Sequence, residues 1–134
     1  MRAALVALAL YCFVPPVSAE TTEEKRKAIV EAFEASLREH VVFLNCSATD
    51  PTFHKAARLN WEEMAAATIE EMTKHKVEAA LIAQIEERAA YAKVMRLDAP
   101  LREIIALCPE NWQRPFYEFR FILLHNRVGE ILRR

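Results

Sequence analysis

Residues 60–97 read NWEEMAAATIEEMTKHKVEAALIAQIEERAAYAKVMRL and contain neither glycine nor proline. Apolar side chains recur along this stretch every three or four residues, which is the spacing of one face of a helix. The residues of this stripe are Trp61, Met64, Ala65, Thr68, Ile69 and Met72, followed by Leu81, Ile82, Ile85, Ala89 and Ala92. The sequence therefore predicts helical structure from Asn60 to about Leu97.

Four consecutive polar residues, 73–76, interrupt the apolar stripe. A straight helix over 60–97 would be about 57 Å long at 1.5 Å per residue, which is longer than a compact domain of this size is wide. We therefore expect a break or kink at residues 73–76.

The chain before Asn60 predicts two further helices. Thr21 with Glu24 forms a capping box, and an amphipathic pattern follows it to about Asn45. Asp50 can cap a helix whose first residue is Pro51, and we expect this helix to be short. Asn60 with Glu63 resembles another capping arrangement, so we expect a new helix to begin there.

The chain after Leu97 predicts a short helix and a long one. Asp98 and Pro100 favour a helix start, and Pro109 favours its end. Residues 112–132 are densely apolar and predict a last, continuous helix, and no alternating strand pattern occurs. The fold class is therefore all-α: a small single-domain bundle of four main helices plus one or two short ones, over residues 20–134.

Residues 1–19, MRAALVALALYCFVPPVSA, have the pattern of a secretory signal peptide. Arg2 gives a basic start, residues 3–14 are apolar, and small residues follow the proline pair. The apolar run is too short to span a bilayer. We expect cleavage between Ala19 and Glu20, a periplasmic or extracellular location, and no transmembrane segment in the mature chain.

Composition excludes several functions. The whole chain has one glycine, Gly129, so Gly-rich phosphate loops, dinucleotide fingerprints and nucleophile elbows are excluded. The formal net charge is −1 with alternating signs, which argues against a nucleic-acid partner. We expect a non-enzymatic protein without a cofactor.

Cys46 and Cys108 are the two cysteines that follow the signal peptide. A cysteine pair in an exported protein predicts a disulfide. The alternative is a redox-active pair, which normally requires closer spacing and a helix N-terminus.

The four histidines, His40, His54, His75 and His125, lack the spacing of zinc, di-iron or covalent haem motifs. Glu71, His75 and Glu78 could share a helix face, which we interpret as a solvated charged edge. His125 lies beside an apolar stripe, and Met64 or Met72 could face it as a second haem ligand. A buried core histidine is the simpler interpretation, and haem or metal binding at His125 is the alternative function.

Aromatic residues concentrate in the last predicted helix and cover more than one of its faces. The residues that we select as a possible interaction surface are Trp112, Phe116, Tyr117 and Arg120. Such a surface would suit a protein partner or an apolar ligand. The alternative is that these rings belong to the core and the arginine stems cover its rim.

Overall fold

The computed structural model describes residues 21–134, and this part of the chain is all-helical, without strands. Its seven helices are α1 (Glu23–Cys46), α2 (Pro51–Lys74), α3 (Ala79–Ala89), α4 (Tyr91–Val94), α5 (Leu101–Leu107), α6 (Arg114–Tyr117) and α7 (Leu124–Arg133). The all-α prediction is confirmed, while the four-helix bundle and the single domain stay predictions. The predicted signal peptide lies outside the described residues.

α1 begins one residue later than the sequence predicts. The side chain of Thr22, not Thr21, caps the helix by accepting the N–H of Lys25 at 3.3 Å. Glu23 and Glu24 then occupy the first turn, where carboxylates stabilise the helix dipole.

α2 is continuous, so the predicted restart at Asn60 is wrong. Asp50 caps the helix as expected, because its carboxylate accepts the N–H of Phe53 at 3.0 Å. Nothing between Pro51 and Asn60 breaks a helix, and good helix formers fill this stretch. Asn60 does not cap a new helix; its side chain faces His40 instead.

The predicted break at residues 73–76 is confirmed. α2 ends at Lys74, and Lys76 adopts a left-handed φ of 55°. α3 starts three residues later and ends at Ala89, so the helix does not continue to Leu97. The indole N–H of the fully buried Trp61 donates to the Ala89 carbonyl at 2.7 Å, at the residue where α3 ends.

The predicted helix over 112–132 is wrong, because it divides into α6 and α7. Phe119 adopts a left-handed φ of 51°, and the N–H of Arg120 donates to the Pro115 carbonyl at 2.8 Å. This is the bond that closes a Schellman-type helix end, with phenylalanine in the place where glycine is usual. Asp98 also fails as the cap of α5, since Pro100 holds that position without a side-chain bond.

The core lies between α1, α2, α3 and α7. Its largest fully buried side chains include Trp61, Phe33, Met72 and Leu124. α7 packs against both α2 and α1. Residues 97–123, which contain α5 and α6, join the α3–α4 region to α7, and we call them the strap.

Candidate functional site

The strap carries most of the exposed apolar surface. Seven large hydrophobic side chains are exposed in residues 21–134, and six of them lie on the strap: Leu97, Leu101, Ile105, Tyr117, Phe119 and Leu123. Leu101 is 73% exposed, Ile105 63% and Phe119 85%. Leu59 on α2 is the seventh. A chain segment that exposes this many large apolar side chains is a candidate interaction site.

α5 contributes two of these six exposed side chains, Leu101 and Ile105. None of its residues is buried, although Leu101, Ile104, Ile105 and Leu107 are large and apolar. The helix has only seven residues between Pro100 and Pro109, so its two apolar sides cannot both face α1.

Asn45 anchors the entry to the strap. This side chain is 4% exposed, and its Nδ2 donates to the Val41 carbonyl at 2.7 Å and to the Val94 carbonyl at 3.0 Å. Its Oδ1 accepts the N–H of Arg96 at 2.9 Å. One amide therefore fixes the chain on α1 just before Leu97.

A disulfide anchors the middle of the strap. Cys46 at the end of α1 is bonded to Cys108 at the end of α5, with the two Cα atoms 5.6 Å apart. The predicted bridge is therefore present. It holds α5, which buries no side chain, against α1.

Aromatic rings anchor the second half of the strap. Phe53 of α2 is 3% exposed, and its ring centroid lies 4.9 Å from Trp112, 4.9 Å from Phe116 and 5.4 Å from Tyr117. Phe43 of α1 packs edge-on against Phe116 at 5.4 Å. Contacts of this kind add to the burial of apolar area.

The four residues of the predicted interaction surface therefore differ in environment. Trp112 and Phe116 are half-buried against Phe53, whereas Tyr117 is 64% exposed and Arg120 is exposed. That they bind a partner stays a prediction. The sequence did not single out Leu97, Leu101, Ile105, Phe119 or Leu123 as surface residues. Two prolines around a seven-residue apolar segment are a signal that could have identified α5.

Charges around α6 pair with one another. Glu118 accepts from Arg114 Nε at 2.6 Å and lies 2.6 Å from Arg120 Nε. The hydrogen bond from Arg114, with the charges of both arginines, lowers the pKa of Glu118. The exposed aromatic side chains Tyr117 and Phe119 thus lie next to a small ion-pair network of surplus positive charge.

Two α1 side chains anchor the exit from the strap. The Glu39 carboxylate accepts the N–H of Ile122 at 2.9 Å, and Ser36 Oγ donates to the Ile122 carbonyl at 3.4 Å. Two residues later, the N–H of Leu124 donates to the sulfur of Met64 at 3.2 Å. Both main-chain groups of Ile122 are thus bound to α1.

Ser47 and His54 form an arrangement that resembles a catalytic Ser–His dyad, and His54 also contacts Tyr91. His54 Nδ1 lies 2.9 Å from Ser47 Oγ, and its Nε2 lies 2.8 Å from the Tyr91 hydroxyl. Ser47 is fully buried and donates to the Leu44 carbonyl at 3.1 Å. A hydroxyl that is buried and committed to a carbonyl cannot attack a substrate, so this group ties α1, α2 and α4 together.

The possible metal ligands Glu71, His75 and Glu78 do not form a site together. In residues 21–134, no three histidine, cysteine, aspartate or glutamate side chains are placed to hold a metal ion. Glu71 pairs with His75 at 3.4 Å, whereas Glu78 binds Arg26 at 2.8 Å. His125 Nδ1 is buried without a hydrogen-bond partner, and the Met64 sulfur already accepts a main-chain N–H.

Comparison with protein-family models, with curated proteins and with solved structures finds no match to this chain. Among residues 21–134, no helix combines the length and the apolar character needed to cross a bilayer. The strap is therefore the candidate functional site on its own geometry.

Proposed function

We propose that this is an exported, non-enzymatic helical protein that binds a protein partner through the exposed apolar side chains of the strap. One observation carries the proposal: six of the seven large hydrophobic side chains exposed in residues 21–134 lie on residues 97–123. Solvation of this surface is unfavourable, and burying it against a partner recovers that free energy.

A protein partner fits this surface better than a small apolar ligand. Leu97, Leu101, Ile105 and Phe119 are each more than 60% exposed and point outward, so they cannot enclose a small molecule. Phe119 also holds a left-handed φ, which is unfavourable for a bulky residue. An exposed aromatic ring in such a conformation is typical of a contact residue, because strained positions cluster at functional sites.

Export is supported by the signal-peptide pattern of residues 1–19 together with the Cys46–Cys108 bridge. We therefore propose a periplasmic or extracellular location. The non-enzymatic assignment rests on the buried Ser47 and on the single glycine of the chain.

The test replaces Leu101 and Ile105 by serine and measures binding to a partner captured from the exported fraction of the native host. We expect the affinity to fall at least about tenfold. Far-UV circular dichroism should not change, because α5 contributes no buried side chain. Leu59→Ser is the matched control, since Leu59 is 48% exposed and lies outside the strap. Equal binding by the double variant and by wild type would contradict the proposal.

Haem binding at His125 remains the alternative, and the unpartnered Nδ1 of His125 is the observation that favours it. An absorbance scan after haem addition tests it directly. A Soret band that His125→Ala removes would support haem binding over the strap proposal.

A further inference from the structure

His40 lies at the point where the strap returns to the core. The residue is fully buried on α1, and its ring centroid is 4.8 Å from Trp61, 5.4 Å from Phe43 and 5.6 Å from Phe121. Trp61 and Phe43 belong to the core helices, and Phe121 belongs to the strap. One titratable ring is therefore enclosed by aromatic rings, one of which is only half-buried.

The hydrogen bonds of His40 are satisfied with or without a second proton. Nδ1 donates to the Ser36 carbonyl at 2.9 Å, and Nε2 lies 3.2 Å from Oδ1 of Asn60. When the ring is neutral, the Asn60 amide can turn its NH₂ toward Nε2 and donate to it. When the ring carries a second proton, the amide turns its oxygen toward Nε2 and accepts from it. Burial disfavours the charged ring, and it therefore opposes the second proton and lowers the pKa of His40.

One charged group acts on His40, and it lies on the same helix. Glu39, the preceding residue on α1, raises the pKa of His40 by its charge, an influence smaller than that of burial. α2 contributes Asn60 and Trp61, and the strap contributes Phe121, which are uncharged. The same Glu39 carboxylate already binds the N–H of Ile122.

A charged His40 gains solvation most easily if the strap moves. Phe43 is 3% exposed and Trp61 fully buried, and both are held by the core helices. Phe121 is half-buried, and its neighbour Ile122 is held by two side-chain bonds to α1. Displacing Phe121 and Ile122 admits water to His40 while α1, α2 and α7 remain packed.

We propose that protonation of His40 releases the end of the strap, residues 116–123, from α1 and uncovers the aromatic face formed by Phe43 and Phe53. This inference rests on the proposed function, because it makes the apolar binding surface larger in acid. Residues 97–108 stay attached through Asn45 and the disulfide.

The test measures exchange of the Ile122 amide hydrogen by NMR, corrected for the intrinsic pH dependence of exchange. We expect its protection to fall at least about tenfold in wild type as the pH drops below about 6.5, before the core helices lose theirs, and to stay constant in His40→Gln. His75→Gln is the control, because His75 is half-buried beside Glu71 at the far end of α2, and this variant should behave as wild type. Constant protection in wild type, or the same fall in His40→Gln, would overturn the proposal.

A second variant decides the matter if His40→Gln does not fold. Asn60→Asp places a carboxylate beside Nε2 and keeps an imidazolium paired, so the fall in Ile122 protection below about pH 6.5 should disappear. The same fall as in wild type would overturn the proposal. These measurements need no partner. If the strap is released in acid but the Leu101 and Ile105 serine variant binds the partner as wild type does, the proposed function is contradicted and this inference stands.

Discussion

Asn45 uses every hydrogen-bonding group of its side-chain amide. Two donors and one acceptor bind Val41, Val94 and Arg96, so a single residue joins the end of α1 to the segment that enters the strap. Burial also removes the amide from solvent, although Asn45–Cys46–Ser47 has the pattern of a glycosylation site.

Replacing Asn45 by alanine should lower the free energy of unfolding by about 2 kcal/mol, because the Val94 carbonyl and the Arg96 N–H lose their partners. Urea unfolding followed by circular dichroism measures this. Asn126→Ala is the control, since Asn126 is exposed on α7 and should change stability by less than about 0.5 kcal/mol. Equal effects of the two substitutions would show that the Asn45 hydrogen bonds do not hold the strap.

At the scale of elements, α5 depends on its covalent link more than on packing. It buries no side chain, and Cys108 at its end is bonded to Cys46 across a sequence separation of 62 residues. The other short helices differ, because α4 buries Val94 and α6 places Phe116 in the aromatic cluster.

Replacing both cysteines by serine should therefore release α5 selectively. Hydrogen exchange should lose the most protection in residues 101–108, while α1, α2 and α7 lose only what the lower global stability removes, because those helices form the core. The chain-entropy model sets the loss in unfolding free energy at up to about 4 kcal/mol. Uniform loss of protection over all helices would show that the bridge supports the core rather than the strap.

At the scale of the whole molecule, acid should destabilise the fold in two ranges of pH. Burial lowers the pKa of His40 below its ordinary value of 6.5, so the unfolded chain binds the proton more tightly than the native one. The stability is complete above about pH 6.5 and is lost as the pH falls through the lowered value. The hydrogen bond from Arg88 lowers the pKa of Glu34 below 4.5, which adds a second loss at more acidic pH.

Urea unfolding between about pH 8 and pH 3 checks this expectation. Wild type should lose stability in both ranges, and His40→Gln should lose it only in the lower one. The same dependence of stability on pH in wild type and in His40→Gln would contradict the assignment of the upper range to His40.

The sequence by itself determined the features that depend on neighbouring residues. The all-α class, the start of α2 at Asp50 and Pro51, the break at residues 73–76 and the end of α5 before Pro109 follow from local propensity and capping chemistry. The disulfide also followed from the sequence, because the two cysteines after the predicted signal peptide allow one pairing.

Only the tertiary structure decided the features that depend on residues far apart in the chain. α3 ends at Ala89, whose carbonyl accepts the indole N–H of Trp61, twenty-eight positions earlier. The apolar run 112–132 divides because Phe116 and Phe121 pack on α1 and α2 on either side of the turn at Phe119. Burial is likewise decided by packing: α5 has the composition of a core helix, yet none of its side chains is buried, because only α1 among the described helices packs closely against it. Local sequence sets the propensity for a helix, and long-range contacts set where that helix ends and which of its faces water reaches.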